Sequence, residues 1–260
     1  MSNLFACLVH DNEPVIIDLI RNLKRFDPYS DILIYKGKNV EVKDYFLNDV
    51  SVYPTPKTIG WGHLGLFVYD CLKYVVENNY SSVTIVDSDQ LLVKDGYSEW
   101  VNAVLRHNDI ITGRIAFNRD NYCTPLVDFS LSLTKSAMAQ KAFGEYQDNA
   151  LCSCFNPGTV YSRKFAEMAV EKLTEAMIIE LVDNGAMAEE EPLFVSLANV
   201  HGMTIYDAGE LNALAWRREW TIEEIDNMLG KLFWVHPVKR DIDDPIRTRI
   251  RLYSRIISGF

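Results

Sequence analysis

Short apolar runs alternate with helical stretches along residues 1–117 of this 260-residue chain. The runs "LFACLV" (4–9) and "DILIY" (31–35) have the length and composition of strands. Between them, "VIIDLIRNLKRF" repeats apolar residues at helical spacing, with Pro14 at a first-turn position. Because strands that alternate with helices pair in parallel through helical crossovers, this order predicts an α/β fold. Its central sheet should be mostly parallel and flanked by helices.

The same pattern predicts further elements. In the first half these are a long amphipathic helix at 61–79 and strands at 82–87 and 109–117. The alternation then stops, and a polar excursion at 132–154 precedes "FNPGTVYS". Beyond it, the periodicity predicts helices at 163–183, 192–200 and 221–229 and a strand in "MTIYDA".

No repeat, low-complexity segment or linker divides the chain, so we expect one domain over 1–260. Residues 1–117 should form a nucleotide-binding half, and residues 118–260 should bring the second substrate. The apolar fraction of 48% and charged fraction of 24% are ordinary for a globular protein, which excludes a disordered or collagen-like chain.

The net charge of −10 argues against a broad nucleic-acid-binding surface. The first residues lack a basic leader and a long apolar run, and no stretch reaches about 18 apolar residues, so we expect a cytoplasmic protein without a transmembrane segment. The basic stretch "IRTRIRLYSRIISGF" contains Arg247, Arg249, Arg251 and Arg255. We expect a solvated helix face there, with peripheral contact to an anionic membrane or an acidic acceptor as the alternative.

The five cysteines are odd in number and are expected to be reduced. Cys7 and Cys71 lie among apolar residues, as small core side chains would. Cys152 and Cys154, in "LCSC", have no CxxC spacing or neighbouring histidine, so we expect two thiols in a loop rather than a zinc site.

Two aspartates end the apolar run of "SVTIVDSDQLLV", with only Ser88 between Asp87 and Asp89. Like charges this close repel unless something positive lies between them. Ligands of open α/β sheets bind beyond the carboxyl ends of the strands, where this segment is expected. The pair therefore indicates a hard divalent cation, Mg²⁺ or Mn²⁺, which would in turn hold a diphosphate. The alternative is a solvated acidic turn.

The segment "SVTIVDSDQLLV" follows a stretch of alternating strands and helices. It resembles the D-x-D segment of GT-A fold glycosyltransferases. The later "FWVHPVKR" is similar to the His-plus-Lys segment of many such enzymes. The resemblance implies that Asp87 and Asp89 ligate the metal, that His236 completes its shell and that Lys239 meets the diphosphate. Imidazole is a good ligand for transition metals, and an ammonium neutralises phosphate charge. We expect the late segment to fold back and close over the donor.

The resemblance implies transfer of a hexosyl or related sugar from a nucleotide-sugar donor, most often a UDP-sugar, to a hydroxyl-bearing acceptor such as a glycan or lipid-linked glycan, with Mn²⁺ or Mg²⁺ as cofactor. The residues expected to bind the nucleotide sugar are His10, Asp11, Asn12, Trp61, Asp87, Ser88, Asn156 and Lys239. The alternative is a solvated loop for the residues from His10 to Asn12, core packing for Trp61 and an ordinary turn for Asn156.

Three glutamates stand before Pro192 and an apolar helix in "AEEEPLFVSLANVHG", where the helix dipole helps keep carboxylates ionised. The plain alternative is helix capping. The "EPLFVSL" segment, with "WG" of "IGWGHLGLF", resembles branching N-acetylglucosaminyltransferases, which implies that Glu191 is the general base of an inverting transfer. Those enzymes work without metal and lack D-x-D, so only the local motifs carry over.

Other interpretations stay open. The segments "DSDQLLVKDGYSEW" and "FNPGTVYS" are similar to glycogenin-type retaining transferases, which would put Glu189 or Glu190 near the donor sugar. We favour inversion. A haloacid dehalogenase-like phosphatase would use Asp87 as nucleophile, but that motif normally continues with Gly-Thr on the first strand. A third possibility is a GT-A domain that binds a nucleotide or glycan without turnover.

Overall fold

The computed structural model describes residues 2–10, 13–37, 50–60, 62–117 and 124–257. Strands and helices alternate in the first half, as the sequence predicts. In chain order the elements are β1 (Asn3–Val9), α1 (Glu13–Phe26), β2 (Asp31–Lys36), β3 (Ser51–Val52), α2 (Gly65–Glu77), β4 (Ser82–Asp87), β5 (Leu91–Leu92), α3 (Tyr97–Val104) and β6 (Ile110–Phe117).

The second half is mostly helical. Its elements are α4 (Thr124–Lys135), α5 (Ala137–Phe143), a 3₁₀ turn (Asp148–Ala150), β7 (Cys152–Ser162), α6 (Arg163–Lys172), α7 (Glu175–Asp183), α8 (Glu190–Val200), β8 (Ile205–Asp207), a 3₁₀ turn (Gly209–Leu211), β9 (Asn212–Leu214), α9 (Ile222–Met228), β10 (Trp234–His236) and α10 (Pro245–Ile257).

The central sheet has the strand order β3-β2-β1-β4-β7-β6-β8. Its strand pairs are parallel except those of β7, which runs antiparallel to both β4 and β6. The prediction of a mostly parallel α/β sheet is therefore confirmed. Leu8 of β1 lies level with Asp87 of β4, so the carboxyl ends of these two strands meet at one edge.

Helices cover both faces of this sheet, which explains why all seven residues of β1 are buried. Side chains alternate along a strand, and β1 accordingly sends Leu4, Ala6 and Leu8 into one core and Phe5, Cys7 and Val9 into the other. The first core packs against α2 and α8, and the second packs against α1, α3 and α10.

A second sheet of three short strands has the order β5-β10-β9, with β10 antiparallel to β5 and parallel to β9. It joins the chain just after the D-x-D segment to residues from the far end of the sequence. The sequence analysis did not predict it, because strands of two or three residues carry no periodic signal.

The structure corrects four local predictions. The polar excursion at 132–154 contains helical residues of α4 and α5, because apolar side chains recur at helical spacing among the polar ones and the Ser136 hydroxyl caps α5. Cys152 and Cys154 are buried in β7 rather than in a loop. The helix predicted over 61–79 begins at Gly65. The helix predicted over 163–183 is two, and Thr174 caps the second.

Two further observations bear on the expectations. Cys7, Cys71, Cys152 and Cys154 are buried free thiols, as expected for Cys7 and Cys71. Within the described ranges, none of the helices has the length and apolar character needed to span a membrane.

Gly158 provides a test of how β7 packs on the D-x-D turn. Its φ is +79°, and an added Cβ would lie 2.9 Å from Nε2 of the buried Gln90. Gly202 has a similar φ of +69° but open space around it. We expect Gly202→Ala to lower the free energy of unfolding by about 1 kcal/mol through backbone strain alone, and Gly158→Ala by about 2 kcal/mol or more. Urea unfolding measures both; equal losses would contradict this packing.

Candidate functional site

The D-x-D segment forms a tight turn at the carboxyl end of β4. The backbone N–H of Gln90 donates a hydrogen bond to the backbone carbonyl of Asp87 at 3.0 Å, which closes the turn. The Val238 amide donates to the Asp89 carbonyl at 2.7 Å, so a residue just after β10 fixes the turn from outside. The small sheet therefore holds the late segment against the aspartates.

Asp87, Asp89 and His236 form one cluster, and one ligand atom from each lies within 4.8 Å of the others. His236 Nε2 is 3.2 Å from Asp89 Oδ1 and 3.9 Å from Asp87 Oδ2. The side chains of Asp87, Asp89 and His236 are 18%, 14% and 9% exposed, respectively. The structure thus brings together all three residues that the sequence analysis selected as metal ligands.

A second contact orients the imidazole of His236. Its Nδ1 lies 3.1 Å from the Ala215 carbonyl, which can only accept a hydrogen bond. Nδ1 therefore carries a proton, and in the neutral ring Nε2 presents its lone pair to the aspartates. Metal-bound histidines are held by this kind of outer hydrogen bond.

The donor set fits a divalent cation. Asp89 Oδ1 is buried and makes no hydrogen bond to the described residues, which is costly for a carboxylate oxygen. Two carboxylate oxygens suit Mn²⁺ or Mg²⁺, and the imidazole nitrogen is a ligand for a transition metal such as Mn²⁺. A cation between these atoms would satisfy Asp89 Oδ1 and remove the repulsion between the carboxylates.

The charges of the cluster shift one another. Burial and the neighbouring Asp89 raise the pKa of Asp87 above its ordinary value. Burial opposes ionisation of Asp89 as well, but the contact with His236 and the charges of His236 and Arg240 outweigh it and lower its pKa. Burial disfavours the charged form of His236, yet the two aspartates raise its pKa overall. The two aspartates thus favour a positive charge beside them, and positively charged neighbours favour the ionised form of the aspartates.

Arg240 and Arg247 support the turn, and the sequence analysis missed both roles. Arg240 Nη2 lies 3.1 Å from Asp89 Oδ2, and its Nε donates to the Ser88 hydroxyl. Arg247 is fully buried; it donates to the carbonyls of Ser88 and Lys239 and forms an ion pair with Asp18 at 2.9 Å. The expectation that Arg247 lies on a solvated helix face is wrong, because the turn and Asp18 together supply its partners.

The residues expected to bind the donor are spread over several places. Lys239 is 62% exposed and pairs with Glu219, while its neighbour Arg240 faces the aspartates. Ser88 is buried beneath the turn. Asn156 is buried in β7, where its Oδ1 accepts from the Tyr161 hydroxyl at 3.3 Å. His10 is exposed just after β1, beside the D-x-D edge. Asp11, Asn12 and Trp61 lie outside the described residues.

Glu189 and Glu190 cap a neighbouring helix. Glu189 accepts from the Gly65 amide at 2.9 Å and contacts His63 Nδ1 at 3.1 Å, and Glu190 accepts from the Leu64 amide at 3.3 Å. Both carboxylates therefore satisfy amides at the start of α2. The Glu189 side chain, at the N-cap of α8, forms no capping hydrogen bond with that helix. Helix capping, the alternative role for these glutamates, is therefore observed for Glu189 and Glu190, but the helix that they cap is α2 and not α8.

Glu191 differs from its two neighbours. Its side chain is partly exposed and forms no hydrogen bond with the described residues, and burial raises its pKa to about 7. Burial also raises the pKa of Glu189, and that of Glu190 well above its ordinary value. Burial thus opposes, at all three glutamates, the ionisation that the helix dipole was expected to favour.

β7 connects Glu191 to the metal-ligand cluster. The Cys154 thiol contacts the Glu191 carbonyl at 3.6 Å, and the ring of the next residue, Phe155, lies 5.3 Å from that of His236. Neighbouring side chains of a strand point to opposite faces, so the cluster and Glu191 flank the same end of β7.

Comparison of the structure with solved structures identifies the fold. A crystal structure of an active-site mutant of LgtC, a GT-A glycosyltransferase, is 12% identical, with a TM-score of 0.51 over 98% of this chain and 95% of that one. The chain has a GT-A-type fold. At this identity the likeness shows the fold alone.

Two further structures are similar at lower scores. The bifunctional glycosyltransferase WbbM is 12% identical with a TM-score of 0.43, over 97% of this chain and 51% of that one. Bifunctional IspDF from Campylobacter jejuni is 12% identical with a TM-score of 0.42, over 89% of this chain and 54% of that one. The fold assignment rests on the comparison with LgtC. In comparisons of sequence, no protein-family model and no curated protein matches.

The raised pKa of Glu191 makes stability depend on pH. Its carboxyl titrates near 4.5 ordinarily and at about 7 in the folded chain, so the unfolded chain binds fewer protons between these values. Stability therefore falls as pH rises through this window. Glu191→Gln removes the effect, so the variant should gain stability relative to the wild type from pH 4.5 to 7 and gain no more above it. Urea midpoints measure this, with the surface variant Glu145→Gln as control; a constant difference across the window would contradict the assignment.

Proposed function

We propose that this chain is a divalent-metal-dependent glycosyltransferase that moves a sugar from a nucleotide sugar, a UDP-sugar by our expectation, to the hydroxyl of an acceptor. One observation carries the proposal: Asp87, Asp89 and His236 converge at the carboxyl edge of the central sheet in a GT-A-type fold. That edge is where open α/β sheets bind their ligands.

Asp87, Asp89 and His236 would hold Mn²⁺ or Mg²⁺. A bound cation supplies Lewis-acid stabilisation of the negative charge that develops on a leaving diphosphate. Arg240 adds a fixed guanidinium beside Asp89, which supports a phosphate-binding role for it in addition to the one proposed for Lys239. To reach a diphosphate, Lys239 would have to leave Glu219.

The donor's base and ribose would lie against the loop after β1, with His10, Asp11 and Asn12, and near Trp61. Asp87 is next to this loop, since β1 and β4 are paired. Asn156 would face the donor sugar from β7, where its Nδ2 is buried without a hydrogen bond to the described residues. Ser88 would act by shaping the turn, because its hydroxyl contacts Arg240.

Glu191 is the best candidate for the general base. A base works best with a pKa near the operating pH, and the pKa of Glu191 is about 7. Glu189 and Glu190 are engaged at the start of α2, and burial raises the pKa of Glu190 well above its ordinary value. This difference favours a single-displacement, inverting transfer; retention, with Glu189 or Glu190 near the donor sugar, is the alternative.

Removal of one ligand tests the metal site. Asp89→Ala deletes the carboxylate with the unsatisfied oxygen and should abolish Mn²⁺-dependent binding of UDP. Asp95→Ala, which deletes an exposed aspartate outside the cluster, should bind as the wild type does. Calorimetry with UDP and Mn²⁺ measures both variants, and unchanged binding by Asp89→Ala would refute the site.

Removal of the base tests the chemistry. Glu191→Gln keeps the size of the side chain but cannot accept a proton, so turnover should fall at least ~10²-fold while donor binding is spared. Glu190→Gln, at the neighbouring position, should reduce turnover less. In the wild type, kcat/KM should rise with pH through about 7, as Glu191 loses its proton. Equal effects of the two variants would argue against Glu191.

The first product decides the stereochemistry. An α-linked donor should give a β-linked product, seen in the anomeric proton by NMR, if transfer inverts. An α-linked product would establish retention and move attention to Glu189 and Glu190. Release of free phosphate from phosphate esters without sugar transfer would instead favour the phosphatase interpretation, and nucleotide binding without turnover would favour a binding domain.

A further inference from the structure

A second polar cleft lies between α1 and α10, away from the metal-ligand cluster. It has a volume of about 500 Å³. Asp87, Asp89 and His236 do not line it. One carboxylate, Asp18, contributes to the lining, whereas five arginines do: Arg21, Arg25, Arg247, Arg251 and Arg255. This concentration of positive charge is notable in a chain whose net charge is −10.

Most of this positive charge is not neutralised by the protein. Asp18 pairs with Arg247 at 2.9 Å and approaches Arg251 at 3.6 Å, so a single carboxylate serves two guanidinium groups. Arg25 donates to the Ser254 carbonyl, which is uncharged.

Arg21 and Arg255 carry the least compensated charges of the cleft. Both are exposed, and neither forms a hydrogen bond or ion pair with the described residues. A cleft lined by charges of one sign focuses the electrostatic potential and attracts ligands of the opposite sign. The cleft therefore favours an anion.

The remaining walls are largely apolar. Beside the polar residues Asn22, Thr248 and Ser254, they are formed by Pro14, Leu91, Ile242, Ile250 and Leu252. Leu91 and Ile250 are buried, whereas Leu252 is 47% exposed. A small inorganic anion would leave this surface in water. A ligand that fits the whole cleft has an anionic group for the arginines and an apolar part for the walls.

We propose that this cleft binds the phosphate group of an amphiphilic phosphate ester. Guanidinium groups match phosphate oxygens with paired, charge-assisted hydrogen bonds, which makes arginine the residue of choice for such a group. The phosphate can come from a lipid headgroup or from a soluble ester, because both present the same chemistry. The proposal does not depend on the glycosyltransferase assignment, since none of the metal ligands takes part.

The test compares two variants of the full chain in buffer with EDTA, so that no cation recruits phosphate to the aspartates. The double variant Arg21→Gln/Arg255→Gln removes two charges that have no partner in the described protein, and circular dichroism checks its fold. Arg106→Gln, an exposed arginine outside the cleft, is the matched control. The probes are hexyl phosphate, followed by calorimetry, and phosphatidylcholine vesicles with and without phosphatidic acid, followed by co-sedimentation.

The double variant loses two donors of charge-assisted hydrogen bonds and should bind at least ~10-fold more weakly, whereas Arg106→Gln should bind as the wild type does. Binding of hexyl phosphate would identify a soluble ester as sufficient, and binding only to vesicles with phosphatidic acid would identify the lipid headgroup. The proposal is overturned if the wild type binds neither probe, if the double variant binds normally, or if Arg106→Gln loses as much affinity.

Discussion

Two aspartates that repel each other are held at the end of a buried strand, beside an arginine and a histidine from the far end of the chain. His236 and Arg240 each lie within about 3.2 Å of an oxygen of Asp89. Buried carboxylates this close cannot both be ionised unless positive charge compensates them. Arg240 supplies part of that charge at Asp89 Oδ2, whereas Asp89 Oδ1 faces Nε2 of His236, which cannot donate a hydrogen bond to it while the imidazole is neutral. A bound cation would satisfy this oxygen.

The compensation explains the path of the chain after the central sheet. β10 pairs with β5, which begins two residues after Asp89, and α10 then places Arg247 under the turn. Arg247 is fully buried and joins the turn to α1 through Asp18. The described part of the late segment is thus already packed against the turn that holds Asp87 and Asp89, and a movement of it on ligand binding remains a prediction.

Where a local pattern carries the information, the sequence was sufficient. Strands such as β1 and β4 were predictable from apolar runs. Asp87 and Asp89 were selected from their motif and His236 from the resemblance of its segment to GT-A enzymes, and the structure brings the three side chains together. The roles of Arg240 and of Glu190 at the start of α2 were not predictable, because each depends on a segment that approaches from elsewhere in the chain. The same limitation explains why Lys239 was selected instead of its neighbour.

The proposed function requires that Asp87, Asp89 and His236 together bind a divalent cation. A crystal structure with Mn²⁺ and UDP, in which anomalous scattering locates the metal, tests this directly. The expected result is one manganese peak within about 2.0–2.4 Å of an oxygen of Asp87, an oxygen of Asp89 and Nε2 of His236, with the diphosphate on its open side. A manganese peak elsewhere, or UDP bound with no metal between these residues, would contradict it.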